Sequence, residues 1–333
     1  MVMKKFLNSP ENLVNELLEG FVLANARTVA LAGSNLVVRA TPKPKDKVAL
    51  VTLGGSGHEP ALSGYVGPGM LDISVPGEIF AAPGPPRVIE ALRLAERDAG
   101  TLFIVLNHEG DVMSSNMALD MAAKEGLNVK KILTHEDISA GTRDDPVDRR
   151  GLVGCLPVIK VAGAAAEAGR SLDECLAIAE RMERNMATLA VALSAATHPA
   201  TGEAIASFAD DEMVIGMGQH GEAGGGANKL LSADKTADAM VPMLLDDLKI
   251  GAGEEVLVLL NGVGSTTLME LYVVLRRVAQ ILGDKKITLA RSLVGNYLTV
   301  QEMGGFQMFM ARMDDELLSL WDAPCSSPAI SVA

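Results

Sequence analysis

The sequence predicts an α/β protein of two domains, each a mixed sheet covered by helices. Three observations lead there. The chain has 333 residues, too many for one comfortable core. Hydrophobic residues are 48% but aromatics only 3%, so the core must be built from Ala, Val, Leu, Ile and Met. That mix favours helix-on-sheet layers over an aromatic-rich β-sandwich. Short buried runs ending in glycine and followed by a helix appear in both halves, the rhythm of α/β units. Other classes are disfavoured. Net charge is −13 with no basic patch interleaved with aromatics, which argues against nucleic acid. Residues 1–10 lack the apolar stretch of a signal peptide, and no apolar run reaches membrane-spanning length. Cys155, Cys175 and Cys325 lie far apart without metal-ligand spacing. They read as reduced packing residues in a cytoplasmic protein, with no metal expected.

In chain order, Asn8-Ser9-Pro10 caps a helix over 11–19, with Leu13, Leu17 and Leu18 on one face. The Lys/Pro-rich segment 42–47 is a solvated connector into a buried strand at 48–53. That strand runs into Gly54-Gly55-Ser56-Gly57-His58-Glu59-Pro60. A glycine-rich turn at the end of a buried strand is where open α/β sheets bind ligands. No Gly-Lys-Ser/Thr follows, so it is not a nucleotide loop, and Pro60 excludes a helical zinc motif. Residues 65–80, rich in Gly and Pro and ending Pro76-Gly77-Glu78-Ile79-Phe80, read as a long functional loop. A helix over 88–97, a strand over 101–106 and a helix over 112–124 follow, with Asn107-His108-Glu109-Gly110-Asp111 between the last two. Asp111 there is either a helix cap or a functional carboxylate. Residues 129–133 are a strand, and the charged run 142–151 reads as solvated. Two Ala-rich helices cover 156–168 and 172–184, the second capped by Ser171.

The domain change falls near Asn185, dividing the chain into 1–185 and 186–333. Strands are expected at 188–193, 213–215, 256–260, 288–292 and 307–312, with helices at 233–248 and 268–282. After 213–215 comes Gly216-Met217-Gly218-Gln219-His220-Gly221-Glu222, a glycine-dense turn presenting His220. A histidine so placed suits a base, a metal ligand or a nucleophile, and otherwise is a surface turn residue. Strand ends carrying glycine and polar residues in both halves point to a site between the two domains.

These stretches, with Leu320-Trp321-Asp322-Ala323-Pro324, come in the order seen in the substrate-binding K subunit of dihydroxyacetone kinases. Each motif alone is weak; the ordered set is specific and spans nearly the whole chain. The resemblance implies two α/β domains with a short ketose such as dihydroxyacetone between them. It implies a covalent hemiaminal on His220, active-site roles for His58 and Asp111, and substrate contact through the Gly55 backbone. Ser56, Gly57, Asn107 and His108 are further candidate substrate-binding residues. A covalent test for a carbonyl separates ketose from glycerol better than shape does, and Asp111 is the candidate acceptor of the hydroxyl proton. The family commonly has Lys-Asn-Tyr-Thr-Gly-Asp where this chain has Leu106-Asn107-His108-Glu109-Gly110-Asp111. Leu106 therefore lacks the lysine's contact, and either His108 or Asn107 replaces it or the ketose is larger, erythrulose for example. The resemblance further implies a homodimer and a separate nucleotide-bearing L subunit holding ADP or ATP with Mg²⁺, with no cofactor on this chain. The competing readings are a non-catalytic ketose-sensing co-regulator and a metal-dependent lyase using His58, Glu59 and His220; glycine turns without a local ligand cluster disfavour the latter.

Overall fold

The structure, a computed structural model, describes residues 5–207, 209–218 and 227–333. The first half contains α1 (Leu13–Ala24), β1 (Val29–Ala32), β2 (Leu36–Arg39), β3 (Ala49–Ser56), β4 (Ile73–Ile79), α2 (Pro85–Leu94), β5 (Thr101–Leu106), α3 (Glu109–Lys124), β6 (Val129–Thr134), α4 (Cys155–Glu167) and α5 (Leu172–Arg184). The second contains β7 (Met186–Ser194), β8 (Glu212–Ile215), β9 (Ala227–Lys229), α6 (Ala233–Leu248), β10 (Glu255–Gly262), α7 (Leu268–Asp284), β11 (Thr288–Gly295), β12 (Gly304–Met313) and α8 (Asp315–Asp322), then a short ribbon of β13 (Cys325–Ser326) and β14 (Ser331–Val332).

Two mixed sheets result. The first has the order β1-β2-β4-β3-β5-β6, and the second β11-β10-β12-β7-β8-β9. Strands β4, β3, β5 and β6 are parallel, while β1, β2 and β4 pair antiparallel. Parallel strands need cover on both faces, and β3 and β5 read as continuous apolar runs for that reason. Val51, Leu53, Phe103 and Val105 pack with Val88, Ile89 and Leu92 of α2 and with Ala118 and Ala122 of α3. Leu50, Leu102 and Ile104 face the other way, into a cluster with α4 and α5 that also takes in Leu257, Leu259, Phe309 and Ala311 of the second sheet. The remaining face of that second sheet packs on α6 and α7. Helix α4 thus lies between the sheets, buried from Cys155 to Ala166. Its small residues allow close approach on both sides.

Several expectations change. Residues 73–79 are not loop but the strand β4, parallel to β3. Pro76 is tolerated because β2 pairs with β4 only at Ser74 and Ile73, so no neighbour on that side waits for the missing N–H. The hairpin of β1 and β2, turned through Gly33 and Asn35 at φ of 48° and 61°, and the helix α8 carry no sequence expectation. The second helix starts at Pro85-Pro86 and stops at Leu94 rather than continuing to Arg97. No helix of the described residues is long and apolar enough to cross a membrane.

Candidate active site

Three parallel strands, β4, β3 and β5, end on the same side of the first sheet. Their continuations are Phe80-Ala81, Gly57-His58-Glu59-Pro60 and Asn107-His108. Residues from each of these ends, with Leu298 from the second half, line a cavity of about 410 Å³. Gly54, Gly55, His58, Phe80, Leu106, His108 and Asp111 all line it. At Gly55 a Cβ would fall 2.8 Å from the Ala81 nitrogen, so only glycine lets strand end and loop meet here.

The second half fixes His58. The N–H of Thr299 donates to the His58 carbonyl at 3.1 Å, and Gln301 N–H donates to the Gly57 carbonyl at 3.2 Å. Thr299 Oγ1 donates to the Glu59 carbonyl at 2.8 Å. His58 Nδ1 lies 2.7 Å from the Thr299 carbonyl oxygen. A carbonyl only accepts, so Nδ1 carries the proton, and in the neutral ring Nε2 holds the lone pair. By the same argument His108, whose Nε2 is 2.8 Å from the Gly151 carbonyl, has its lone pair on Nδ1.

Asp111 does not cap α3. His108 occupies the cap position and Asp111 sits in the first turn. Asp111 is 7% exposed, and its Oδ1 has no hydrogen-bond partner among the described residues. Burial pushes its pKa up to about 7. The amide dipoles at the helix start favour the charged form, but desolvation wins. A carboxylate with an unmet acceptor, facing a cavity, is suited to receiving a ligand's hydroxyl proton.

Of the other candidates, Gly55 and His108 line the cavity, whereas Ser56, Gly57 and Asn107 hold the walls. Ser56 Oγ donates to the Gly77 carbonyl at 2.8 Å, and Gly57 N–H donates to Glu59 Oε1 at 3.0 Å. The Asn107 side-chain amide donates to the carbonyls of Val147 and Arg149 at 3.0 and 2.7 Å, so it is engaged by the loop after β6 and does not line the cavity. Leu106 presents an apolar wall. His220 lies outside the described residues. Among the described residues no group of three or more His, Cys, Asp or Glu side chains is arranged to hold a metal ion.

The sequence suggests no role for two further features, Phe80 and the segment 298–301. Phe80 has φ of +56°, uncommon for a bulky residue. Its ring is tilted on His58 at 5.2 Å and meets His198 edge-on at 5.8 Å. The segment 298–301 buttresses His58. The run 142–151 is a loop whose Thr142, Asp144, Asp145, Val147 and Asp148 are exposed, as expected, but its end is not solvated: the side chains of Arg149 and Arg150 are 3% and 11% exposed and paired with Asp247 and Asp137. The Arg149-Arg150-Gly151 run before a buried helix was the available signal.

The class of protein follows from comparison. Residues 19–329 match the family described as the Dak1 domain, and the chain belongs to that family. It is 39% identical, over 94% of its length and 95% of the relative's, to PTS-dependent dihydroxyacetone kinase 1, dihydroxyacetone-binding subunit DhaK, of Listeria innocua. It is 33% identical to the PEP-dependent dihydroxyacetone kinase, dihydroxyacetone-binding subunit DhaK, of Escherichia coli, over 99% of both chains. Among solved structures, the dihydroxyacetone kinase operon co-activator Dha-DhaQ superposes with a TM-score of 0.88 at 31% identity, covering 94% of this chain and 96% of that one.

Proposed function

We propose that this chain is the ketose-binding subunit of a dihydroxyacetone kinase, acting with a separate nucleotide-bearing L-type subunit. The observation that carries the reading is the buried carboxylate of Asp111, with its unmet Oδ1, in one cavity with His58 at the ends of the parallel strands. Family membership supplies the substrate class. His220 captures the ketose: an imidazole nitrogen adds to the carbonyl carbon, the carbonyl π pair moves to oxygen, and the ring proton neutralises that oxygen. The product is a hemiaminal with no atom lost. Glycerol has no carbonyl and is refused, whatever its fit to the cavity. Capture holds a terminal hydroxyl in place. Asp111 takes its proton as the hydroxyl oxygen attacks the terminal phosphorus of the donor, and the leaving phosphate stays with the partner's nucleotide and Mg²⁺. His58, anchored through Nδ1 on Thr299, lines the same cavity and shares the proton work.

The same proposal includes a homodimer working in the cytoplasm. Leu106 sets the ketose size, and comparing dihydroxyacetone with erythrulose as substrates reads that wall directly. Intact-mass measurement after incubation with dihydroxyacetone tests the capture step. An increase of one whole ketose, without loss of water, is expected in the wild type and absent in His220→Ala. An adduct that survives the substitution removes His220 from the mechanism.

A further inference from the structure

Between β6 and α4 the chain leaves the first sheet and touches the second. Thr188 N–H donates to the Glu136 carbonyl at 2.8 Å, and Ile138 N–H donates to the Thr188 carbonyl at 3.1 Å. This carries Asp137 to a place of 0% exposure, where a carboxylate needs partners. Arg150 supplies them: Nε donates to Asp137 Oδ2 at 2.8 Å, with Nη2 2.7 Å from the same oxygen. Asp137 Oδ1 accepts from the Ser139 N–H at 2.9 Å and the Ser139 hydroxyl at 2.6 Å.

The pair is aimed at a third group. Arg150 Nη2 donates to the Gly216 carbonyl at 2.8 Å and to Ser139 Oγ at 2.9 Å. The Ser139 hydroxyl also lies 3.1 Å from the Gly216 oxygen, but it has one proton, and the carboxylate is nearer and the stronger acceptor. The Gly216 carbonyl is therefore held chiefly by Arg150. The Gly216 N–H donates to the Ala190 carbonyl at 2.7 Å, so both its backbone groups are engaged. Gly216 has φ of +88°, follows β8 directly, and precedes His220 by four residues.

We propose that Arg150, oriented by Asp137 and Ser139, is a positioning residue for the capture histidine. It fixes the chain just after β8, at Gly216, four residues before His220. The inference rests on the reading of His220 given above. Arginine suits this role because its planar fork bonds a carboxylate and a carbonyl together, whereas lysine supplies only the charge.

Arg150→Lys tests it, because the charge opposite Asp137 is kept while the fork is lost. Adduct formation is titrated against dihydroxyacetone by intact mass. The ketose concentration for half-capture is expected to rise about 10- to 100-fold, as for a misplaced reacting group, with thermal unfolding close to wild type. Hydrogen exchange in peptides spanning 212–218 is expected to quicken. In the kinase reconstituted with its nucleotide-bearing subunit, the change should appear in KM for ketose, with kcat within about threefold because Asp111 is untouched. Should Arg150→Lys unfold early, Ser139→Ala, which leaves the ion pair intact, is expected to shift capture in the same direction by less. Wild-type capture in the folded variant, or unchanged exchange at 212–218, overturns the proposal. A His220-dependent adduct unaffected by Arg150→Lys sinks this inference alone; no adduct in the wild type, or one that persists in His220→Ala, sinks the His220 reading and this inference with it.

Discussion

Asp111 sets stability against chemistry. Its carboxyl binds a proton more tightly in the folded chain, with a pKa of about 7, than in the unfolded one. Between the ordinary carboxylate range and pH 7 the folded state holds the extra proton, so this group's contribution is complete at acid pH and is lost as pH rises toward neutrality. Keeping Asp111 charged above pH 7 costs at most roughly 4 kcal/mol. Asp111→Asn is therefore expected to raise the melting temperature at pH 8 and to change it little at pH 4. It is also expected to lower phosphoryl transfer about 10²- to 10⁴-fold, since an amide cannot accept the hydroxyl proton. Transfer by the wild type should rise with pH through about 7. Near-wild-type turnover in Asp111→Asn would remove Asp111 as the base. The position of His58 and Asp111 after the glycine-bearing ends of buried strands was legible in the sequence, because α/β sheets gather ligands there; their active-site roles are what the family resemblance implies. Phe80 was not, because what matters about it is a backbone angle and two ring contacts brought from elsewhere in the chain. Arg150 was not, because its partners Asp137 and Gly216 are separated from it in sequence and paired only by the crossing between sheets.

At the level of elements, local signals worked where local chemistry decides. Ser171 was read as a cap, and it accepts from the Glu174 N–H while the Glu174 side chain accepts from the Ser171 N–H. Ser171→Ala is expected to cost about 1 kcal/mol, measured by chemical denaturation. Strand β4 was misread because Pro76 and Gly77 look like loop residues until the short reach of β2 is known. In the exposed loop 142–151 only the arginines were misread, because a run of charges is normally solvated; here Arg143 and Arg149 both close on Asp247. Burial pushes the Asp247 carboxyl up, but the two guanidiniums win and hold it below the usual range. The sign is opposite to that of Asp111: this stability is present above the unfolded carboxylate pKa and fades as pH falls through the folded value. Asp247→Ala leaves the buried Arg149 without its carboxylate, and about 3 kcal/mol should be lost at pH 7. A denaturation midpoint that does not move would show the pair to be incidental.

Across the whole molecule, two sheets share one continuous core through α4, and the cavity lies where the first sheet's parallel strands end against the 298–301 segment of the second half. The two-sheet α/β architecture was legible from the alternation of buried runs, glycines and helices, because that pattern is written locally. The layering that puts α4 between the sheets was not, since a buried Ala-rich helix reads alike whether one sheet or two covers it. Phosphoryl transfer needs a charge clamp on the leaving group as well as a placed hydroxyl; in the proposed function the residues around the cavity supply the placement and the base, and the partner the clamp.

The most direct test is reconstitution. The purified chain is incubated with Mg-ATP and dihydroxyacetone, alone and then with a nucleotide-bearing L-type subunit, and ketose phosphate is measured. An adduct but no product is expected from the chain alone, and product that depends on Asp111 once the partner is present. Turnover by the chain alone would contradict the division of labour. An adduct with no product under any partner or phosphoryl donor would contradict the kinase assignment and favour a ketose-sensing co-activator.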